Sequence, residues 1–308
     1  MKKIAILGAT GFIGKSLIYC LSQEEDFEVF AFARSPEKIN TFLDSLDKKT
    51  NFIACSFDEF FNHEYDAVIN CIGIGDPKEM KEAGFELFEI TERFDNMALD
   101  YLRRRPKTRY INFSSGAVYG KTVGTPIDTE SLLVLDINHI DQGDCYAVSK
   151  INCEAKHRCL VDLNIVDIRL FSFFSRFLGL ENSGFLLSHV INAINNKTVF
   201  TAVPDDFIRD FINPHDILNL IKLIIKKERI NDFFDAYSLE PVSFFHLLKY
   251  FQEKYNLKYK ISRNIDLISP TGLKNAYYSK NKKAETLGYY PKFSSLTGIE
   301  EEIKYLIN

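Results

Sequence analysis

The chain opens on a short apolar run, Ile4-Ala5-Ile6-Leu7, after which apolar residues recur at Ile13, Leu17 and Leu21. The run is strand-like, whereas recurrence at i, i+4 and i+8 is the spacing of one helix face. Between the two stand Gly8-Ala9-Thr10-Gly11-Phe12-Ile13-Gly14, so the period changes across a glycine-rich turn and a helix N-terminus points out of it. The alternation continues downstream. Residues 27–33 and 51–55 read as strands, residues 65–73 as a buried strand running into a second glycine turn, and residues 109–113 as a further strand. Ahead of that last strand, Leu87, Ile90, Phe94, Ala98 and Leu102 mark a helix over residues 82–105, closed by Arg103-Arg104-Arg105-Pro106. Basic residues before a proline are a helix stop. Strands alternating with helices predict a parallel sheet with right-handed crossovers.

At 308 residues the chain is long for one core and suits a large α/β domain with a smaller one appended. Its 46% apolar and 26% charged residues, without a low-complexity tract, are globular throughout. A net charge of -4 leaves no basic footprint, so nucleic acid is not an expected partner. The pair Lys226-Lys227 reads as a solvated helix end. Six cysteines lie scattered with no C-x-x-C pair and no metal-type spacing with histidine, which suits a reduced cytoplasmic protein without a metal. Lys2-Lys3 before an apolar stretch imitates a secretory leader, but cleavage would remove the glycine turn and Lys15 interrupts the run. No stretch approaches the ~18 consecutive apolar residues of a membrane span.

The glycine turn suits a dinucleotide. Gly8 can take a backbone shape barred to other residues, Gly11 lets a pyrophosphate approach the main chain, and Gly14 lets the helix pack closely on the strand. Helix N–H groups and the helix dipole then favour the phosphates. The candidate contacts are Gly8, Thr10, Gly11, Phe12, Ile13 and Gly14, with Cys71, Ile72 and Gly73 at the carboxyl edge of the sheet. At the end of the second strand, where an NAD site usually carries an acid for the ribose 2′-hydroxyl, stands Arg34. An arginine there can accommodate a 2′-phosphate, so NADP(H) is the favoured cofactor, with NAD(H) the alternative. The expected fold is α/β: a Rossmann-type doubly wound parallel sheet over residues 1–171, with residues 172–308 forming mainly a smaller C-terminal α/β lobe for substrate and partly returning to the sheet.

The strand at residues 109–113 delivers Ser114-Ser115-Gly116-Ala117-Val118-Tyr119-Gly120, and thirty-one residues after Ser115 comes Tyr146-Ala147-Val148-Ser149-Lys150. Tyrosine and lysine four apart share one helix face. A free tyrosine titrates near ~10 and is a poor acid-base group at neutral pH, but an adjacent ammonium stabilises its phenolate.

Together these segments resemble the extended short-chain dehydrogenase/reductase superfamily, in its nucleotide-sugar epimerase, dehydratase and reductase branch. G-x-x-G-x-x-G is that branch's glycine pattern, and Ser114 to Gly120 is similar to its S-S-x-x-V-Y-G segment, which makes Ser115 the catalytic serine beside Tyr146 and Lys150. Ile168-Arg169-Leu170-Phe171 resembles the strand that leaves the cofactor domain. Residues 208–217 are similar to R-D-F-I-x-x-x-D, whose arginine, here Arg209, binds the nucleotide's phosphates. Residues 278–290, with Lys283-Ala284 and Leu287-Gly288-Tyr289, resemble the family's C-terminal S-K-A-x-x-x-L-G segment. The resemblance implies catalytic Ser115, Tyr146 and Lys150, substrate contacts from Ser115, Gly116 and Arg209, a nucleotide-sugar substrate and a homodimer.

Where the chain departs from the family pattern, the expectations narrow. The asparagine after R-x-F is Ser172, the following glycine-proline is Ser175-Arg176, and Ser269-Pro270-Thr271-Gly272 lacks a second phosphate-binding arginine. Arg176 is a candidate replacement, or else a surface charge in a loop. Dehydrating relatives place Asp-Glu beside the catalytic hydroxyl where this chain has Gly116-Ala117, and relatives that epimerise C3 and C5 place a cysteine after Ser-Ser. The expected reaction is therefore reduction of the 4-ketone of a nucleotide-linked deoxysugar in surface-glycan biosynthesis, the alternative being C4 epimerisation or dehydrogenation with NAD. A non-catalytic dinucleotide-binding subunit would be expected to lose Tyr146 or Lys150, and both are present.

Overall fold

The computed structural model describes residues 1–46, 51–120, 125–263 and 275–307. Its centre is a parallel sheet of β1 (Lys2–Leu7), β2 (Phe27–Phe32), β3 (Phe52–Cys55), β4 (Ala67–Asn70), β5 (Arg109–Ser115), β6 (Ile165–Leu170) and β7 (Asn231–Asp235). The spatial order is β7-β6-β5-β4-β1-β2-β3, every neighbouring pair parallel. Strand order reverses beside β1, which opens a crevice at the carboxyl edge there. Both faces are covered, which is why the strands read as continuous apolar runs. Ile4, Ile6, Val29, Ala31, Ile69 and Val166 enter the core beneath α1 (Phe12–Leu21) and the later helix α7 (Pro214–Lys226). Their neighbours Ala5, Leu7, Phe30, Phe32 and Val68 enter the opposite core with Leu99 and Leu102.

α2 (Pro36–Asp44) follows β2. The helix expected over residues 82–105 is two helices, α3 (Pro77–Ala83) and α4 (Glu86–Arg104). Gly84 between them is the C-cap of α3 and takes φ +52, so the helical path breaks at a residue whose backbone conformation favours glycine. Of the apolar stripe of α4, Leu87, Ala98 and Leu102 are buried and Ile90 and Phe94 half-buried.

α5 (Cys145–Cys159) packs beside α4 and is anchored under the sheet by the buried His157. Its Nδ1 lies 2.9 Å from Asp167 Oδ1 and its Nε2 2.7 Å from Asp95 Oδ1. Burial on its own would lower the histidine pKa, but the two carboxylates outweigh it and raise the value to about 9. Burial likewise acts to raise Asp95, and His157 and Lys156 overcome it to hold that carboxyl at about 2. A folded pKa above the ordinary value contributes stability that is complete below pH ~6.5 and is lost as pH rises through about 9. The unfolding free energy from urea titrations is therefore expected to fall by an amount on the order of 3 kcal/mol between pH 6.5 and 9.5, and His157→Gln should flatten that alkaline slope.

The lobe contains α6 (Leu186–Asn195), α8 (Phe244–Tyr255) and α9 (Ser295–Ile303), with a parallel pair of strands, Val199–Ala202 and Lys258–Ile261. A three-stranded ribbon joins Val242–Ser243, Ile208–Arg209 and Ala276–Tyr277. Its own core holds Leu187, Ile191, Phe207, Phe251 and Ile299. The acidic residues of the segment at 208–217 are structural: buried Asp210 accepts from the Ser295 hydroxyl at 3.0 Å, and Asp216 from the Lys292 amide at 2.9 Å. Among the described residues no helix is long and apolar enough to cross a membrane.

Candidate active site

Parallel strands end at one edge, so Gly8, Arg34, Cys71 and Ser115, each just past or at the end of β1, β2, β4 or β5, are gathered there from distant parts of the chain. Gly8 has φ +82, and Gly11 caps α1 with its own N–H bonded to the Gly8 carbonyl at 2.9 Å. No side chain caps α1, so the amides of its first turn face the crevice as a ready anion site. At Gly14 a Cβ would stand 2.2 Å from the Gly8 carbonyl oxygen. This is a backbone cradle that a side chain would fill, and it fits a dinucleotide.

The loop after β4 completes the strip. A Cβ at Gly8 would be 3.0 Å from Ile72 Cγ1, and a Cβ at Gly73 would be 3.4 Å from Lys150 Nζ. Cys71 and Ile72 are half-buried, and Thr10 is half-buried in the turn itself. Ile13 packs on the main core. Phe12 directs its ring into the lobe, edge-on to Phe173 at 5.0 Å and 6.0 Å from Phe185, so only its main chain is left to meet a ligand in the cradle. Arg34 is exposed beyond β2, ahead of Ser35, the N-cap of α2.

The reaction side of the edge is built by β5 and α5. Ser115, the last residue of β5, is buried; its Oγ accepts from the Ala117 amide at 3.1 Å and lies 3.2 Å from the Tyr277 hydroxyl. Tyr146 is half-buried in the first turn of α5, and Lys150, one turn on and buried, donates from Nζ to the Phe113 carbonyl at 2.8 Å. Ser115 and Tyr146 line a cavity of about 670 Å³ whose lobe side carries Arg209 and Tyr277. Arg209 and Tyr277 are register partners in the ribbon. The Arg209 guanidinium stacks 4.4 Å above the Phe207 ring, and burial lowers its pKa to about 10. Burial pushes the Tyr277 phenol up, so it stays protonated. Gly116 is fixed by packing: a Cβ there would lie 2.5 Å from the Phe171 ring.

Tyr277 as a neighbour of Ser115 has no signal in the sequence, because the two meet across 162 residues. The polar support below them is equally non-local. Glu154 accepts from Ser114 Oγ at 2.6 Å and pairs with Arg169, Arg169 donates to the Tyr119 hydroxyl at 2.7 Å, and Tyr119 and Ser279 donate to the buried Asp235 at 3.0 and 2.6 Å. Both readings of Arg176 are corrected. Its guanidinium pairs with buried Glu302 at 2.8 Å and stacks on Tyr19 and Tyr305, so it braces the lobe against α1 and is neither a surface charge nor a ligand for phosphate. Ser175 takes part in the same junction, its Oγ 2.7 Å from Ser16 Oγ. The segment at 269–272 lies outside the described residues.

A glycine turn at the sheet's reversal point, with serine, tyrosine and lysine beside it, defines an NAD(P)-dependent enzyme of the extended short-chain dehydrogenase/reductase type. The chain belongs to the NAD dependent epimerase/dehydratase family, whose profile matches residues 4–236. It is 26% identical, over 98% of its length and 96% of the relative's, to GDP-6-deoxy-D-talose 4-dehydrogenase of Aggregatibacter actinomycetemcomitans. The fold is that of UDP-glucose-4-epimerase from Stenotrophomonas maltophila with bound NAD and formylated UDP-arabinopyranose (TM-score 0.83, 14% identity, 99% of this chain and 98% of that one). It is equally that of UDP-glucuronic acid 4-epimerase from Bacillus cereus in complex with UDP-glucuronic acid and NAD (TM-score 0.79, 18% identity, 99% and 98%).

Proposed function

We propose that this enzyme reduces the 4-ketone of a nucleotide-linked deoxyhexose, in surface-glycan sugar biosynthesis, with NADPH as the favoured cofactor. The carrying observation is that Ser115 and Tyr146 line the same cavity as Arg209, so a sugar oxygen and a diphosphate can be held at once. The relative named as a 4-dehydrogenase acts, by that name, at the same carbon, and oxidation of an alcohol run backwards is reduction of the ketone. Gly116 against Phe171 leaves no room for an acid beside Ser115, which disfavours dehydration.

Gly8, Gly11, Gly14 and the α1 amides would hold the pyrophosphate, with Thr10 and the main chain of Phe12 and Ile13 beside it. Cys71, Ile72, Gly73 and Lys150 would flank the nicotinamide riboside, and Arg34 the 2′-phosphate. When bound, the nicotinamide supplies or accepts hydride at its C4. The Tyr146 phenol donates a proton to the sugar oxygen in reduction, or takes one in the reverse direction. Ser115, oriented by the Ala117 amide and Tyr277, holds the same oxygen by a hydrogen bond. Arg209 contributes a partly desolvated charge to the diphosphate. A homodimer that pairs α4 and α5 with those of a second copy belongs to the same reading.

The deciding experiment is on the cofactor. The purified enzyme is expected to bind NADPH in preference to NADH, and Arg34→Ala to weaken NADPH about 10- to 100-fold with little effect on NADH, the size of a lost charged hydrogen bond. Direct titration of both nucleotides checks this. Tightly retained NAD(H), identified by mass after denaturation, would point instead to a C4 epimerase that recycles its cofactor in place.

A further inference from the structure

The cavity is walled in part by a contact made at one carboxylate. Asp76, after the loop that follows β4, caps α3: its Oδ1 accepts from the amides of Lys78 at 2.8 Å and Glu79 at 3.3 Å. Its Oδ2 reaches across to the lobe, accepting from the Ser183 hydroxyl and the Gly184 amide, each at 2.8 Å. With 9% exposure and four donors, the carboxylate is a buried junction between segments 107 and 108 residues apart. The fit is close, since a Cβ at Gly184 would lie 2.7 Å from the Lys78 amide nitrogen. Asn182, at φ 54, turns the chain into the contact, and the Ser183 oxygen accepts from the Phe185 amide at 3.2 Å, leaving its proton for Asp76. Phe185 in turn rests on Phe12, the first residue of α1. Pro77 and Lys78 on one side, and Ser183, Gly184 and Phe185 on the other, line the cavity that holds Ser115 and Tyr146.

We infer that Asp76 is a latch tying the loop after β4 to residues 183–185 of the lobe, and that this tie opens and closes to let dinucleotide and sugar nucleotide enter and leave. The inference rests on the function proposed above for the cavity. The two carboxylate oxygens divide the work. Oδ1 keeps the α3 cap while Oδ2 lets go of Ser183 and Gly184, so the lobe segment can lift without unravelling the helix. The bonds are charge-assisted and therefore strong, yet only two of them cross the cleft. Gly75, which precedes the junction, is exposed, with nothing within 4 Å of where its Cβ would be. Closure of such a segment over a reaction site governs exchange and frequently sets turnover.

Hydrogen exchange on the ligand-free protein, paired with stopped-flow release of NADPH, tests the latch in wild type, Ser183→Ala and Asp76→Asn. Amides of residues 180–188 are expected to exchange at least tenfold faster in Asp76→Asn and by a smaller factor in Ser183→Ala, while peptides from β5 and α5 exchange as in wild type. NADPH should leave both variants faster, and should slow exchange of that segment in wild type. Unchanged exchange at 180–188, or acceleration spread evenly through the sheet, overturns the latch. Should wild type bind neither NADPH nor NADH, the cofactor reading fails, and the exchange contrast in the ligand-free protein still decides whether Asp76 holds the segment.

Discussion

Tyr146→Phe is expected to lower kcat roughly 10²- to 10⁴-fold, the range of a lost general acid-base group, while leaving KM for the sugar nucleotide within a few-fold. The argument rests on position. Tyr146 sits in the first turn of α5 with its side chain lining the cavity, and Lys150 is held one turn away by its bond to the Phe113 carbonyl. Removing the hydroxyl takes the proton donor from the transition state and leaves ring packing and Arg209 in place, so the loss falls on turnover and spares ground-state binding. Steady-state kinetics with NADPH and a 4-keto sugar nucleotide make the measurement. Retention of most of the wild-type kcat would assign the proton transfer to another group, with Tyr277 the first to examine because it touches Ser115.

Gly14→Ala should nearly abolish nucleotide binding and lower Tm by several degrees. Its Cβ would stand 2.2 Å from the Gly8 carbonyl oxygen and 2.9 Å from the carbonyl carbon, and both are backbone atoms of a residue already held at φ +82. Neither atom can rotate away, so α1 must lift from β1 or the turn must open. Overpacking of this kind costs about 1–3 kcal/mol, and the displaced helix amides no longer converge on a phosphate. Gly11→Ala is the control. There the nearest atom would be 3.2 Å away, so Tm is expected to stay near wild type while affinity falls because the added methyl stands over the phosphate path. Differential scanning fluorimetry with and without NADPH separates the two effects, and a Gly14→Ala protein that keeps both Tm and affinity would overturn the cradle.

The candidate motifs were legible along the chain because each is local. The glycine turn, the Ser-Ser strand end and the Tyr-Lys pair are each contained within one turn of helix or one strand-to-helix junction, and each demands particular residue types at fixed spacing. The sheet strands were legible because both faces are buried and their runs stay apolar. Gly84 shows the limit of such reading. The apolar stripe of α4 extends the helical pattern backward, but the left-handed turn at Gly84 that ends α3 is invisible to periodicity. Arg176 shows a second limit, since a charge in a loop reads as solvated until Glu302, 126 residues away, arrives beside it.

What the sequence determined by itself is the alternating α/β pattern, the turn that opens α1, and the placement of Ser115 and Tyr146 at element ends with Lys150 one helix turn further on, because backbone geometry and helix spacing act over a few residues. Only the tertiary structure decided the rest: that Tyr277 stands beside Ser115, that Gly116 is held bare by Phe171, that Arg209 shares the cavity with Tyr146, and that Asp76 clasps Ser183. Those contacts join segments far apart in sequence, and they form because the sheet sets where each strand ends and the lobe packs over that edge.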